Sequence, residues 1–168
     1  FSKLSAEQKR VLSALSVFRE PVELEALAMQ QLDTDELDSL VESGLARQAD
    51  SETYDVHDLI REFLLRSLSV ALREEFHGKC VEWYKKQSQS QDILIELVYH
   101  TIKSGQFDEA SALVVKEGRQ LVSQGHMELL GLIEQIETTD LEADVVVGMA
   151  QLQLSLIHIS EPTRRRLI

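Results

Sequence analysis

Five histidines, one cysteine and a surplus of carboxylates are the side chains with which this chain could build chemistry. His57, His77, His100 and His126 each stand twenty or more residues from the next, so no two share the i, i+4 spacing that lets imidazoles hold a metal on one helix face. His77 and His100 fall within helical patterns and read as solvated or packed helix residues. The lone Cys80 rules out an internal disulfide and a cysteine-based zinc cage, and its place on an apolar stripe makes it a small core residue. Neither it nor any serine sits in a nucleophile elbow. Glu74-Glu75 reads as a solvated face, not an acid/base couple. No G-x-x-x-x-G-K-[ST] and no G-x-G-x-x-G occurs. The chain is therefore expected to be no enzyme and to hold no metal or cofactor of its own. The pair that stands apart is His57-Asp58, which follows a short strand pattern and opens an amphipathic helix.

The elements that must place this pair follow from composition and period. The chain has 168 residues, 43% of them hydrophobic and 27% charged, with a net charge of −12. Nucleic-acid binders carry basic surfaces, so the acidic balance argues against one. No apolar run approaches the ~18 residues of a membrane span. Two prolines and seven glycines leave room for long helices. A soluble, cytoplasmic, mainly α chain is expected.

Leu4, Val11, Leu12, Leu15 and Phe18 share one helical face, with Ser5 as N-cap and Gln8 at the capping-box position. Pro21 closes this helix near Arg19. A second helix spans Val22 to Met29. A third starts at Asp33 or Thr34, carries Leu37, Leu40 and Val41 inward, and stops at Gly44. Alternation from Leu45 to Ala49, the turn Asp50-Ser51-Glu52 and the run Thr53 to Val56 predict a hairpin whose strands are the only ones in the chain. The closing helix from His57 should bury Leu59, Ile60, Phe63 and Leu64, and Asp58 should cap it. Three helices, a hairpin and a closing helix are the order of a winged helix-turn-helix, assigned to residues 1–68.

From Ser69 to Gln153 the pattern is helix after helix, assigned to residues 69–153. Leu72, Phe76, Cys80, Trp83 and Tyr84 form one stripe, and Phe76 and Trp83 are expected to be buried. Glycines at 105, 118 and 125 are expected to punctuate antiparallel hairpins, the rhythm of an α-solenoid. A last helix is expected from Leu141 to Gln153. Both chain ends look cut. Phe1 is no initiator, and Leu154 to Arg164, LSLIHISEPTR, reads as the translation of a sequencing-library adaptor. Residues 154–168, with His158 and Arg164-Arg165-Arg166, are accordingly expected to be a non-native tail on a metagenomic fragment. Without them the net charge is −14.

Tyr54-Asp55-Val56-His57-Asp58-Leu59-Ile60-Arg61-Glu62-Phe63-Leu64 resembles the motif that closes the winged-helix region of STAND-class signal-transduction NTPases, where a hydrophobic-His-Asp triplet precedes an amphipathic helix. Val56 stands where that NB-ARC motif commonly has Met. Leu12 to Phe18, then Pro21, then Leu37 to Leu45 are similar to the family's preceding pattern. Trp83-Tyr84, His100, Gly105 to Ala110 and Gly118 are similar to the helical arms of these proteins and of the maltose-activator type of regulator. The resemblance covers roughly Leu4 to Ile136.

The resemblance implies that His57 senses the β-phosphate of ADP bound, with ATP and magnesium as the alternative load, in an NTPase domain upstream in the same chain. A histidine at a strand-to-helix corner is pre-oriented and donates to a phosphate oxygen. The helical arm would take a protein or small-molecule effector, and the whole would be a non-catalytic regulator coupling that arm to the absent nucleotide domain. Two other functions are open: a protein-interaction scaffold of TPR-like repeats, and a DNA-binding transcriptional regulator. The latter is opposed by a third helix with Asp35, Glu36, Asp38 and Glu42 and no Lys or Arg, and by 7 basic against 14 acidic residues over Phe1 to Leu68. Neither nucleic acid nor membrane is expected as a partner.

Overall fold

The computed structural model describes residues 4–30, 32, 35–88, 90–136 and 143–160. The chain divides into two compact units, one up to Lys86 and one from Gln87. The sequence pattern places a boundary after Leu68, whereas the contacts group the following helix with the first unit.

In the first unit α1 runs Ala6–Val17. Its start is the expected capping box: Gln8 N donates to Ser5 Oγ and Ser5 N to Gln8 Oε1, each at 3.0 Å. From Val11 to Phe18 every residue is buried, because α1 is surrounded by α2 (Leu24–Ala28), α3 (Glu36–Glu42), α4 (Asp58–Ser67) and α5 (Val70–Tyr84). It is the core helix on which the unit is assembled. The expected caps of α3, Asp33 and Thr34, lie outside the described residues. Its far end is as expected: Gly44, at φ 71°, donates to Val41 O, and Leu45 N turns back to Leu40 O.

Three strands form one antiparallel sheet in the order β1-β3-β2, with β1 at Val22–Glu23, β2 at Arg47–Gln48 and β3 at Thr53–Asp55. The hairpin is the one the alternation predicts. The third strand is a correction: Val22 and Glu23, expected to open a helix, pair with Tyr54 and Thr53. Pro21 just before them favours extended backbone, and β3 offers a free edge on that side.

α5 buries Phe76, His77, Cys80, Val81 and Tyr84. Tyr84 meets Phe18 edge to face, with ring centroids 6.3 Å apart. Trp83, expected inside, is only half-buried, because the stripe follows i, i+4, i+8 and leaves position 83 beside it.

The second unit holds α6 (Gln91–Lys103), α7 (Phe107–Ser123), α8 (Glu128–Ile133) and α9 (Ala143–Ser160). α7 packs against all three others around Ile95, Val98, Ile102, Val114, Leu121 and Leu129. Gly105 and Gly125 end helices with positive φ, as expected. Gly118 does not. It lies inside α7, where a Cβ would come within 2.7 Å of Leu152 Cδ2 and 3.3 Å of Leu129 Cδ2, so its role is close helix packing. The expected start of the last helix at Leu141 is outside the described residues, as are 161–168 of the tail, but α9 continues through position 154. Among the described residues no helix is long and apolar enough to cross a membrane.

Two glycine classes follow. Gly118→Leu should destabilise the chain by about 1–3 kcal/mol, because the added carbons enter space held by Leu152 and Leu129. Gly131, inside α8, has nothing within 4 Å of a Cβ position, so Gly131→Ala should stabilise by about 0.5–1 kcal/mol. Thermal unfolding of the two variants should move the midpoint in opposite directions.

Candidate functional site

The strand-to-helix corner is held by a carboxylate that faces inward. Asp55 ends β3 opposite Arg47 of β2 in the ladder, and only 5% of its side chain is exposed. Its Oδ2 accepts from Arg47 Nε at 3.1 Å and Nη2 at 2.5 Å. Its Oδ1 accepts from Arg61 Nη2 of α4 and from Val56 N at 2.8 Å. Burying such a charge is tolerable only because it is paired and hydrogen-bonded on both oxygens. Asp55 in turn raises the pKa of Arg47, through its hydrogen bonds first and its charge second.

Val56 is fully buried, and the chain emerges at His57, which is exposed. His57 has extended dihedrals, φ −62° and ψ 140°, and is itself the N-cap of α4: its Nδ1 accepts from Leu59 N at 3.4 Å. The expected cap, Asp58, is instead the first helical residue, where its charge complements the helix N-terminus. His57 O accepts from Ile60 N and Arg61 N at 2.8 and 2.9 Å. In the tautomer that lets Nδ1 accept, the ring proton sits on Nε2, the nitrogen that the helix does not use. The corner can therefore present one N–H donor, beside a helix N-terminus, to an anionic oxygen.

The next turn of α4 departs from expectation. Leu64 is buried, but Leu59 is 73% and Phe63 55% exposed, and Ile60 is half-buried. The period was right and its apolar width was not: α1 covers one side of α4, leaving Leu59 and Phe63 as an outward pair at i, i+4 next to His57.

A cleft of about 380 Å³ lies elsewhere on the sheet, lined by Glu23, Leu24, Glu25, Ser51, Glu52 and Tyr54. Three carboxylates make it unfit for a phosphate. His77 and His100 are buried helix residues. His126 Nε2 lies 3.4 Å from Gln91 Oε1. Among the described residues no three His, Cys, Asp or Glu side chains are grouped to hold a metal. The structure places His57 at the strand-to-helix corner where the sequence pattern puts it, and it adds Asp55, Arg47 and Arg61, to which the sequence reading gave no role. The available signal was an aspartate at a strand end two residues before the histidine, with an arginine one helical turn beyond it.

No protein-family model matches the chain, and no curated protein does. Among solved structures it matches a signal transduction ATPase with numerous domains (STAND) protein with a tetratricopeptide repeat sensor from Pyrococcus horikoshii. The identity is 26% and the TM-score 0.68, over 96% of this chain and 26% of that one. The chain thus spans about a quarter of that protein's length, and it shares its mainly helical, STAND-like fold at a coarse level.

The hairpin that carries Arg47 and Asp55 has its own acid-sensitive tie. Asp50 Oδ1 accepts from Glu52 N and Thr53 N, both at 2.9 Å, and the Glu52 backbone bond is the first cause that holds its carboxyl below the usual range. A depressed folded pKa means the tie is complete above the ordinary aspartate value of ~3.9 and is lost as pH falls through the folded value. Amide shifts of Glu52 and Thr53 should therefore stay constant from neutral pH down to about 4 and move together below it. In Asp50→Asn, whose amide oxygen still accepts, that acid step should vanish.

Proposed function

We propose that this chain is the regulatory portion of a STAND-class NTPase. In this reading α1 to α4 and the three-stranded sheet are a winged helix, and α6 to α9 begin a TPR-like solenoid arm that receives a protein or small-molecule effector. The observation that carries the proposal is the His57 corner: an exposed imidazole at a helix N-cap whose Nδ1 accepts from Leu59 N, leaving Nε2 unused by the helix. The likeness to the STAND protein with a tetratricopeptide repeat sensor supports the helical arm and its regulatory character.

His57 would donate to a terminal phosphate oxygen of ADP held by an NTPase domain upstream in the same polypeptide. A bound diphosphate supplies the charge and the acceptor oxygens, and this chain supplies one donor from the His57 ring, the first turn of α4 being already complemented by Asp58. The P-loop and the magnesium site belong to the other domain, so the role of this chain is non-catalytic. Leu59 and Phe63 support the same arrangement, because an outward apolar pair beside the histidine fits a face that another domain covers. Effector binding on the arm would shift the winged helix and withdraw His57, which changes the balance between nucleotide-closed and open states. DNA binding is disfavoured by the exposed Asp38 and Glu42 of α3.

The isolated chain should neither hydrolyse ATP nor give a calorimetric signal with micromolar ADP. Micromolar binding would overturn the division of labour. In the intact parent, His57→Ala should speed ADP release and raise basal output, since a contact specific to the closed state is removed. Leu59→Ser with Phe63→Ser should lower the stability of this chain by no more than about 1–2 kcal/mol while opening the parent, as read by protease sensitivity between domains. An upstream reading frame without a P-loop would overturn the whole proposal.

A further inference from the structure

We infer that Asp55, clamped between Arg47 and Arg61, is the positioning residue that sets the direction of the His57 ring. The inference concerns the ring's geometry, and its functional consequence rests on the proposed sensor role of His57. Both polar groups of the Val56 peptide are held by this clamp: its N–H donates to Asp55 Oδ1 at 2.8 Å, and its carbonyl accepts from Arg61 Nη2 at 3.4 Å. The peptide planes on both sides of Val56 are fixed in this way. The orientation with which the chain enters His57 is therefore set by side chains of β3 and α4, not by the short ladder alone. The helix completes the constraint through the bonds from Ile60 N and Arg61 N to His57 O and from Leu59 N to Nδ1.

Two details separate this from an ordinary stabilising ion pair. The two arginines differ in exposure, with 15% of the Arg61 side chain exposed against 58% for Arg47, so Arg61 is the fixed arm and Arg47 the outer one. Arg61 Nη2 also serves two acceptors at once, Asp55 Oδ1 and the Val56 carbonyl, so one nitrogen ties the buried carboxylate to the backbone just before His57.

The test reads the imidazole directly, in the chain as it stands, by long-range proton–nitrogen spectra of His57 near neutral pH. The original chain should show the Nε2–H tautomer as the dominant neutral form, with the Leu59 amide protected from exchange. In Asp55→Ala the Nε2–H form should lose only its excess over the preference that a free imidazole already has, and the larger signal is Leu59 exchange, which should rise about tenfold as its bond to Nδ1 opens. Arg61→Lys keeps the charge but shortens the arm with which Nη2 reaches both Asp55 Oδ1 and the Val56 carbonyl, and should shift both signals in the same direction. Glu62→Gln, which alters an exposed pair with Arg66, should change neither. If Asp55→Ala fails to fold, Arg61→Lys decides alone. An unchanged His57 tautomer and Leu59 exchange rate in the folded variant overturns the inference. In the parent, faster ADP release in His57→Ala but not in Asp55→Ala would also overturn it. A shifted tautomer with ADP release unchanged in both would uphold the positioning role and remove the sensor reading.

Discussion

A single carboxylate buried at the end of a strand determines how the first unit closes. A carboxylate buried there needs donors, and they come from the elements before and after it in the chain, Arg47 on β2 and Arg61 on α4. The result ties the hairpin, the sheet and the closing helix to one point. Strands of two or three residues are too short to fix a register by ladder bonds alone, so the cross-strand Arg47–Asp55 pair does part of what length does in larger sheets. α1 provides the apolar half of the same construction. Its second half is buried, and α1 packs against both β3 and α4, the elements that flank His57.

The second unit is organised differently. Buried Thr101 closes on its own helix, its Oγ1 donating to Leu97 O at 2.6 Å, while the links between elements are exposed or half-buried ones such as Lys103 Nζ to Gln135 Oε1 at 2.7 Å. The unit's geometry is set by volume, with Gly118 admitting Leu152 and Gly148 lying against Val115. One unit is fixed by charge at a corner and the other by small residues at helix crossings.

Much of this was legible in residue order. The capping box at Ser5 and Gln8, the left-handed ends at Gly44, Gly105 and Gly125, and the hairpin around Asp50 all depend on local chemistry, and local chemistry is what a sequence displays. The failures were tertiary. Gly118 reads as a helix end unless one knows that Leu152 crosses there. Val22 and Glu23 become a strand only because β3 has an edge to offer them. Leu59 and Phe63 obey the helical period, yet which face of α4 is covered is decided by where α1 lies. The histidine was visible through its motif. The clamp behind it was not, since a charged residue beside a buried valine carries no mark of its partners until the fold brings two arginines to it.

The outward pair Leu59 and Phe63 also bears on how the isolated chain behaves at high concentration. Each molecule carries a small adhesive spot on a body of net charge −12. At low ionic strength that charge keeps molecules apart beyond the range at which apolar contact acts. Near 0.1 M salt the screening length shrinks to about 10 Å, comparable with the width of one helix, and the spots can then meet. Colloidal stability of this chain is thus a competition between a long-range term that salt removes and a short-range term that salt leaves intact. A second body seated on α4 would end that competition by covering the spot, leaving solubility to the acidic surface alone.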